Sequence, residues 1–378
     1  MNGINEFDLI IVGLGAMGSA AAYYAAKSGL QVLGIDQFEV PHNRGSHSGQ
    51  SRIVRMAYFE HPNYVPILKL AYQNWERLKM DVGQTFFHKT GILYMGNEND
   101  SLLKGVQKSA DLYKLNILKS DQISFKKNYP QFELDHKNYN AIIEPNAGYV
   151  IADLTILQYK KLALNHGAKI LEKTKMQNWY MEEGKVKLEC EGKKFSAKRV
   201  IFTKGAWAKD DLQAVNKTIE ITKQSYFYFD VENKAAYAET QFPSWNFQVK
   251  GDSGLYYGFP ISSKGLKIAY HKKGEEVDPS EKHLLVSQIE KEKVLDLVYH
   301  LFPKAAFKLE SEGNCLYTNS KDGDFIIDYL PKTKKQIIIA TGFSGHGFKF
   351  VPAIGELLVN MAKEGKKPGI FDFLKLGR

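Results

Sequence analysis

The stretch LIIVGLGAMG, residues 9–18, decides the fold of this chain. Its first four residues are apolar and largely β-branched, which is typical of a strand buried on both faces. Three glycines with the dinucleotide-binding spacing follow: Gly13, Gly15 and Gly18. In this pattern the first glycine allows a tight turn, the second lets the backbone approach a pyrophosphate, and the third lets the next helix pack closely on the strand. The stretch therefore predicts a strand, a phosphate-binding turn and a helix.

A second strand completes this unit. Residues 19–28 are helical in character, and the apolar strand Gln31–Ile35 ends in Asp36. An acid at this position is placed to accept hydrogen bonds from the ribose hydroxyls of a dinucleotide. The pattern does not separate a nicotinamide from a flavin nucleotide, because both carry the same adenosine half.

The rest of the chain predicts a second domain inserted into the first. Short strands divided by turns fill the middle: TGILYMG (90–96), EPNAGYVIA (144–152), KVKLECEG (185–192), KRVIFTKGAWA (198–208) and GLKIAYHKKG (265–274). Helices are predicted at Leu154–Asn165 and Lys282–Leu301, and a buried strand returns near the end in KQIIIATGFSG (335–345). The fold class is therefore predicted to be α/β, with a Rossmann-like domain interleaved with an α+β domain built on a mixed sheet.

Charge and composition narrow the classes of protein. The net charge is +9 over 378 residues, but the lysines are interspersed with acids, as in EKHLLVSQIEKEKVLD (281–296), which favours a solvated surface over a nucleic-acid site. The apolar N-terminal run is broken by glycines and has no basic leader, so neither a signal peptide nor a membrane span is expected. Two cysteines cannot form a disulfide framework, the histidines lack metal-ligand spacing, and we expect a cytoplasmic protein without a metal.

Four segments carry candidate site residues. In PHNRGSHSGQSRIVRMAY (41–58), Arg52 and Arg55 flank a β-branched pair; a strand would point them to opposite sides and a helix to the same side, and the pattern favours the strand. In GLKIAYHKKG, Leu266, Ile268 and Tyr270 alternate with Lys267, Ala269 and His271, and this second face meets either water or a cavity. Tyr256 and Tyr257 precede this strand.

The other two segments lie near the end of the chain. In NCLYTNSKDGDFIID (314–328), Cys315 and Tyr317 share a face if the segment is a strand. Cys190 has no candidate site residue beside it and is predicted to be structural. SGHGFKFVPAIGELL (344–358) places Gly345, Gly347 and Lys349 where a helix begins. Free N–H groups at a helix start favour an anion, and a lysine adds to the positive charge, so something negative is expected nearby.

Taken together, the motifs resemble monomeric sarcosine oxidase and N-methyltryptophan oxidase over essentially the whole chain. The segments that carry the resemblance, in order, are VGLGAMG with Asp36, GSHSGQSRIVRMAY, EPNAGYV, YYGFP, GLKIAYH, NCLYT with DFIID, and TGFSGHGFKF. The last two are highly specific, whereas the glycine fingerprint alone is not. Two positions depart from the family pattern, since Ser48 replaces a histidine and Gln50 an acid.

The resemblance implies a role for each site residue. It implies FAD as the cofactor, joined by a thioether to Cys315 and also held by Gly13, Gly15, Gly18, Asp36, Ser51 and Gly347. It implies that Arg55 and Lys349 bind the substrate carboxylate, that Lys267 promotes the reaction with oxygen, and that Arg52 lies beside the flavin. His271, Tyr257 and Tyr317 are implied to line the substrate cavity, and the Gly345 carbonyl to contact the substrate amine.

The expected activity is oxidation of an N-methyl amino acid by O2, with sarcosine as the expected substrate. The FAD-binding domain is expected to comprise residues 1–85, 150–217 and 320–378, and the substrate-binding domain residues 86–149 and 218–319. N-methyl-L-tryptophan and fructosyl amino acids remain alternative substrates, and a flavin-holding module without turnover remains a non-enzymatic alternative. The chain is expected to act as a monomer.

Overall fold

The computed structural model describes residues 5–281 and 284–378. Its strands are, in chain order, β1 (Asn5–Val12), β2 (Val32–Ile35), β3 (Ser51–Val54), β4 (Phe87–His88), β5 (Ile92–Gly96), β6 (Leu118–Ser120), β7 (Asn140–Glu144), β8 (Gly148–Ile151), β9 (Lys169–Leu171), β10 (Met176–Glu182), β11 (Lys185–Cys190), β12 (Lys193–Phe202), β13 (Ile219–Val231), β14 (Ser244–Phe247), β15 (Leu255–Gly258), β16 (Leu266–His271), β17 (Phe307–Ser320), β18 (Ile326–Tyr329) and β19 (Ile337–Thr341).

Helices connect these strands. The α-helices are α1 (Ala16–Lys27), α2 (Tyr64–Val82), α3 (Ser101–Tyr113), α4 (Gln122–Asn128), α5 (Ala152–Asn165), α6 (Ala208–Asp211), α7 (Gln213–Asn216), α8 (Gln288–Leu301) and α9 (Val351–Glu364). Short 3-10 helices cover Gly205–Trp207, Lys234–Tyr237, Phe348–Phe350 and Gly369–Leu374. Within the described residues, no helix is both long enough and apolar enough to cross a lipid bilayer.

The first sheet is a Rossmann-like sheet. Its parallel part runs β9, β2, β1, β12, β19, and β10, β11 and β18 add antiparallel strands at its margins. Leu9 and Ile11 pack into the core that contains α1, α5 and α9, whereas Ile10 and Val12 pack into the core on the opposite face. The first strand is therefore buried on both faces, as its apolar run predicts.

The second sheet is mixed, in the order β17, β13, β16, β15, β14, β5, β7, β6. All of its pairs are antiparallel except β14 with β5. Leu266, Ile268 and Tyr270 of β16 lie in an aromatic-rich core together with residues of α8. A third, three-stranded sheet pairs β3 and β4 with β8, and it carries Arg52 within β3 and Arg55 directly after it.

Most of the predicted elements are present with small shifts, and the α/β class with a mixed second sheet is confirmed. The segment predicted around Arg52 is a strand, whereas EPNAGYVIA is divided between β7, a turn and β8. The predicted helix start at Lys282 is wrong for the described part: α8 begins at Gln288, where the Ser287 hydroxyl accepts a hydrogen bond from the Glu290 amide. Lys282 and His283 lie outside the described residues. The domain boundaries stay a prediction.

Candidate functional site

A long cavity lies against the glycine fingerprint. It is lined by Gly13, Gly15 and Asp36 from the first βαβ unit, and by Arg52, Gly345 and Gly347 from two later segments. Aromatic side chains contribute to the same wall: Phe38, His42, His47, Trp207, Phe343 and Phe348. The cavity thus joins the fingerprint turn to the turn after β19.

The three fingerprint glycines differ in what surrounds them. A Cβ on Gly18 would lie 1.8 Å from the Gly13 carbonyl oxygen and 2.6 Å from Thr203 Oγ1, so this position must be glycine for α1 to pack on β1. A Cβ on Gly15 would meet no protein atom within 4 Å, although this residue lines the cavity. The open space at Gly15 is a cradle into which a pyrophosphate fits.

Asp36 lies at the far end of this turn and orders it. Its Oδ2 accepts a hydrogen bond from the Leu14 amide at 2.7 Å and its Oδ1 accepts one from the Phe38 amide at 2.9 Å. Burial raises the pKa of Asp36, and the two amide hydrogen bonds oppose that effect. Each carboxylate oxygen can accept more than one hydrogen bond, so a ribose can still bind here.

Two buried polar atoms on the wall of this cavity lack a partner within the described part of the chain. They are His47 Nε2 and Thr318 Oγ1. A buried polar atom without a hydrogen bond costs free energy, so both atoms are suited to a polar ligand. A nucleotide with a large ring that carries hydrogen-bonding edges fits this wall.

A second, smaller cavity adjoins the first and shares Arg52, Gly345 and Phe348 with it. It collects most of the residues for which a substrate role was predicted: Arg52, Arg55, Tyr257, His271, Cys315, Tyr317, Gly345 and Lys349. Its volume is about 70 Å³, which is room for only a few water molecules.

Arg55 is paired with an acid that the sequence analysis did not single out. Its Nη2 donates to both carboxylate oxygens of Glu60, at 2.5 and 2.7 Å, while its Nη1 makes only a long contact of 3.5 Å with the Ala57 carbonyl. Burial alone would raise the pKa of Glu60, but Arg55, by its charge and its hydrogen bond, together with His346 and Lys349, outweighs burial and lowers this pKa to about 2. The Nη2 of the guanidinium is therefore well satisfied, whereas Nη1 is not.

Lys349 is the second cation of this cavity, and it is buried. Its Nζ donates to the His346 carbonyl at 2.6 Å, which leaves two further hydrogens that an ammonium can donate. Burial and, to a smaller extent, the charge of Arg55 lower the pKa of Lys349 to about 7, and Glu60 acts in the opposite direction. The residue lies in a 3-10 turn before α9, so the predicted helix start is displaced by a few residues.

The opposite wall of the cavity is polar and aromatic. His271 Nδ1 and the Tyr317 hydroxyl are 2.9 Å apart and share a hydrogen bond. Burial lowers the pKa of His271 to about 4, so the imidazole is neutral near pH 7. Gly345 has a left-handed backbone (φ 77°), and a Cβ there would lie 2.1 Å from the Tyr317 ring, so a side chain at this position would displace that ring.

Arg52 lines both cavities, and Cys315 lines the smaller one. Arg52 donates hydrogen bonds to the carbonyls of Ser46, Ser48 and Ser51, at 2.8, 2.5 and 2.8 Å. Burial raises the pKa of the Cys315 thiol, and the charge of Arg52 opposes that rise. Cys315 and Tyr317 line the same cavity, so they share a face of β17 as predicted.

Lys267 lies outside both cavities and faces the segment before β3. It is 2% exposed, and its Nζ donates to the carbonyls of Gly49 and Ser51 at 2.5 and 3.2 Å. The rings of Tyr226 and Phe259 lie 5.2 and 5.3 Å from the ammonium. Burial strongly lowers the pKa of Lys267, and Arg52 adds to this. The water-facing alternative for this face of β16 is therefore wrong.

Two predicted cofactor residues do not line either cavity. Gly18 serves the packing of helix on strand, and Ser51 offers its carbonyl to Arg52 and Lys267. The sequence analysis gave no role to these residues of the small cavity: Glu60, Ile53, Phe59, Asn246, Leu255, Phe259, His346 and Phe348. An acid five residues after Arg55 was a readable signal for Glu60; the others had none. Within residues 5–281 and 284–378, no group of three or more acids, histidines and cysteines is placed to hold a metal.

Comparison with known proteins identifies the group to which this site belongs. Residues 8–361 match the family described as FAD dependent oxidoreductase. The chain belongs to this family. It is 34% identical over 369 residues to monomeric sarcosine oxidase from Bacillus sp. (strain B-0618), covering 96% of this chain and 93% of that protein. It is 32% identical to N-methyl-L-tryptophan oxidase from Yersinia pestis (strain Pestoides F), covering 96% of both.

Solved structures agree on the fold. NikD, an amino acid oxidase of nikkomycin biosynthesis, superposes with a TM-score of 0.87 at 17% identity, covering 98% of both chains. Fructosamine oxidase from Aspergillus fumigatus superposes with a TM-score of 0.79 at 20% identity, covering 98% of this chain and 90% of that one. The predicted resemblance is confirmed, and the chain is a flavin-dependent amine oxidase whose cavities fit FAD.

The glycine geometry separates folding from cofactor binding. We expect Gly18→Ala to destabilise the protein by about 1–3 kcal/mol, because its Cβ overlaps the backbone of the turn. We expect Gly15→Ala to leave the melting temperature of the apoprotein nearly unchanged but to abolish FAD retention. Thermal unfolding of apoprotein and the flavin absorbance of purified protein measure the two effects. A Gly15→Ala protein that retains FAD at the wild-type ratio would contradict the cradle.

The pKa of Lys349 predicts how carboxylate binding depends on pH. Below about pH 7 the ammonium is charged, and above it the charge is lost, so the Kd of acetate should rise towards tenfold per pH unit above pH 7. Glu60, His271 and His346, whose pKa values are about 2, 4 and 3, do not titrate in that range. Acetate titrations followed by flavin absorbance from pH 6 to 9 test this. The Lys349→Met variant should bind acetate weakly and with little pH dependence. A wild-type dependence of the acetate Kd on pH in that variant would show that Lys349 is not the titrating group.

Proposed function

We propose that the protein oxidises small N-methyl amino acids, and that sarcosine is its substrate. The overall reaction is sarcosine + O2 + H2O → glycine + formaldehyde + H2O2. The observation that carries the proposal is the pair of cations, Arg55 and Lys349, in a cavity of about 70 Å³ beside the cofactor cavity. The two positive charges are balanced by Glu60 and by one further carboxylate, which the substrate would supply. The volume of the cavity suits an amino acid without a side chain.

In this proposal the substrate carboxylate lies between the two cations. The Nη1 of Arg55 and the two unused hydrogens of Lys349 are the donors available to it, while Glu60 keeps the guanidinium in place from the other side. The Gly345 carbonyl then accepts a hydrogen bond from the substrate amine, and His271, Tyr257 and Tyr317 close the cavity. Held at both ends, the N-methyl carbon faces the cofactor cavity, which is the orientation that oxidation requires.

The remaining predicted site residues are proposed to serve the cofactor. When bound, FAD takes two electrons from the amine and passes them to O2. Gly13, Gly15, Asp36 and Gly347 would hold it, with Gly18 and Ser51 supporting the turns around it. Arg52 would lie beside the flavin, and Lys267, buried on the side of Gly49 and Ser51, would supply positive charge where oxygen is reduced.

Larger substrates are the second candidate, because a third cavity of about 330 Å³ adjoins the small substrate cavity. The two cavities share Glu60, His271, Tyr317 and His346. A side chain on the α-carbon or a sugar on the amine could extend into this space, as N-methyl-L-tryptophan or a fructosyl amino acid would require.

A monomeric, cytoplasmic enzyme is also part of the proposal, and size-exclusion chromatography tests whether the protein is a monomer.

A substrate panel tests the activity. We expect peroxide release with a higher kcat/KM for sarcosine than for N-methyl-L-tryptophan or fructosyl-glycine. Arg55→Ala should raise the KM for sarcosine by more than tenfold, because loss of a buried charge pair costs about 2–5 kcal/mol. Arg77→Ala is the matched control, because Arg77 is an exposed arginine on α2 that pairs with Glu356 on α9. No bleaching of the flavin by anaerobic sarcosine would refute the proposed substrate.

The covalent link to FAD is proposed to involve Cys315. Cys315 lines the small cavity that adjoins the cofactor cavity, whereas Cys190 lies on β11 in the core of the first sheet. We expect flavin to stay with the wild-type polypeptide and with Cys190→Ser after acid precipitation, and to be released from Cys315→Ser. Flavin that is released from the wild type, or retained by Cys315→Ser, would exclude the thioether.

A further inference from the structure

Tyr58 lies against both cations of the proposed carboxylate site. The Arg55 guanidinium carbon is 4.5 Å from the centre of its ring, and Lys349 Nζ is 5.2 Å from the same point. The ring is fully buried. A cation within about 6 Å of an aromatic ring is attracted to the negative face of its π system, and this attraction is strongest where water is excluded.

The hydroxyl of Tyr58 is hydrogen-bonded to the turn that follows β19. Its partner is Nδ1 of His346, and the other ring nitrogen, Nε2, lies 3.0 Å from the Gly323 carbonyl oxygen. A carbonyl only accepts, so Nε2 carries the hydrogen and Nδ1 is the acceptor for the Tyr58 hydroxyl. Burial lowers the pKa of His346 to about 3, which keeps the imidazole in this neutral form.

The hydrogen bonds of His346 connect Tyr58 to the groups that face the substrate. The His346 carbonyl accepts the hydrogen bond from Lys349 Nζ, and the preceding residue is Gly345. The two hydrogen bonds of the imidazole anchor the side chain of His346 and, through it, the peptide that joins Gly345 to His346. One side chain thus contacts both cations through its ring and controls the turn through its hydroxyl.

We propose that Tyr58 is a positioning residue with two separable functions: its ring holds Arg55 and Lys349 in place for a carboxylate, and its hydroxyl, through His346, fixes the Gly345 peptide. This inference rests on the proposed amine oxidation, because the Gly345 carbonyl is assigned there to the substrate amine. Tyr58 itself does not line the substrate cavity, and it acts only through the residues that do.

The two functions predict different kinetic results for two substitutions. Tyr58→Phe keeps the ring and removes the hydroxyl, so the Kd of acetate should stay within twofold of wild type while kcat for sarcosine falls about tenfold. Tyr58→Met keeps most of the buried volume and removes the π system, so the Kd of acetate should rise about tenfold. Holoenzyme titrations with acetate and steady-state kinetics with sarcosine measure both.

The pH profile distinguishes positioning from a merely structural role. An aromatic face favours the charged form of Lys349, so Tyr58→Met should lower the pH midpoint of acetate binding by about one unit, and Tyr58→Phe should not. The other titratable and charged groups around Lys349 are Arg55 and Glu60, together with His346 and His271 across the cavity, and both variants retain all four residues.

Tyr64 provides the matched control. It is fully buried, its ring lies 5.0 Å from that of Tyr58, and its hydroxyl accepts a hydrogen bond from the Phe325 amide. Tyr64→Met should lower the melting temperature about as much as Tyr58→Met, with the acetate midpoint unmoved. A Tyr58→Met protein with wild-type acetate binding and midpoint would overturn the ring function.

A separate result tests the hydroxyl function, and the acetate titrations distinguish its failure from failure of the substrate assignment. Wild-type kcat in Tyr58→Phe would overturn it, even if Tyr58→Met could not be purified. If the wild type binds acetate but does not oxidise sarcosine, the substrate assignment alone fails, and the acetate titrations still test the ring. If acetate does not bind to the wild type at all, the carboxylate site is refuted and this inference with it.

Discussion

The burial of cationic side chains around two adjoining cavities is the constraint on which the rest of this structure depends. Arg55, Lys267 and Lys349 are each at most 5% exposed, and a charge taken out of water costs several kcal/mol unless it is compensated. Arg55 has the direct support of one carboxylate, that of Glu60, whereas Lys267 and Lys349 are bound by backbone carbonyls. The positive charge that remains is what a flavin ring and a substrate carboxylate are suited to balance.

The backbone before β3 is shaped to supply those carbonyls. Gly49 and Gln50 both have left-handed conformations (φ 82° and 52°), and a Cβ on Gly49 would lie 2.8 Å from the Tyr226 ring. This reversal brings carbonyls of the segment 46–51 to Arg52 and to Lys267 on β16 of the other sheet. The same short segment thus fixes two cations and connects the Rossmann-like part of the fold with the mixed sheet.

The sequence could predict what depends on local pattern and failed where distant segments meet. The glycine spacing, the burial of β1 and the shared face of Cys315 and Tyr317 follow from periods of two residues and from fixed spacings. The burial of Lys267 does not follow from local pattern. Alternation shows that its side chain leaves the core face, but not that residues 49–51 cover it. The acid at Glu60 was readable from its spacing to Arg55, but its pairing was not, because its position depends on a turn whose amides, at Met56 and Ala57, bind Glu144, 88 and 87 residues further along the chain.

The geometry of β16 explains how substrate and oxygen chemistry could be kept apart in one small site. Lys267 and His271 lie on the same face of this strand, four residues apart, so their α-carbons are separated by about 13 Å at the usual rise of a strand. His271 lines the small cavity with Arg55 and Lys349, whereas Lys267 lies behind the Gly49–Ser51 backbone. Under the proposed function, His271 would face the amine and Lys267 would supply positive charge for oxygen reduction from a separate position on the same strand. The strand therefore sets the spacing, and the two cation sites can respond to substitutions independently.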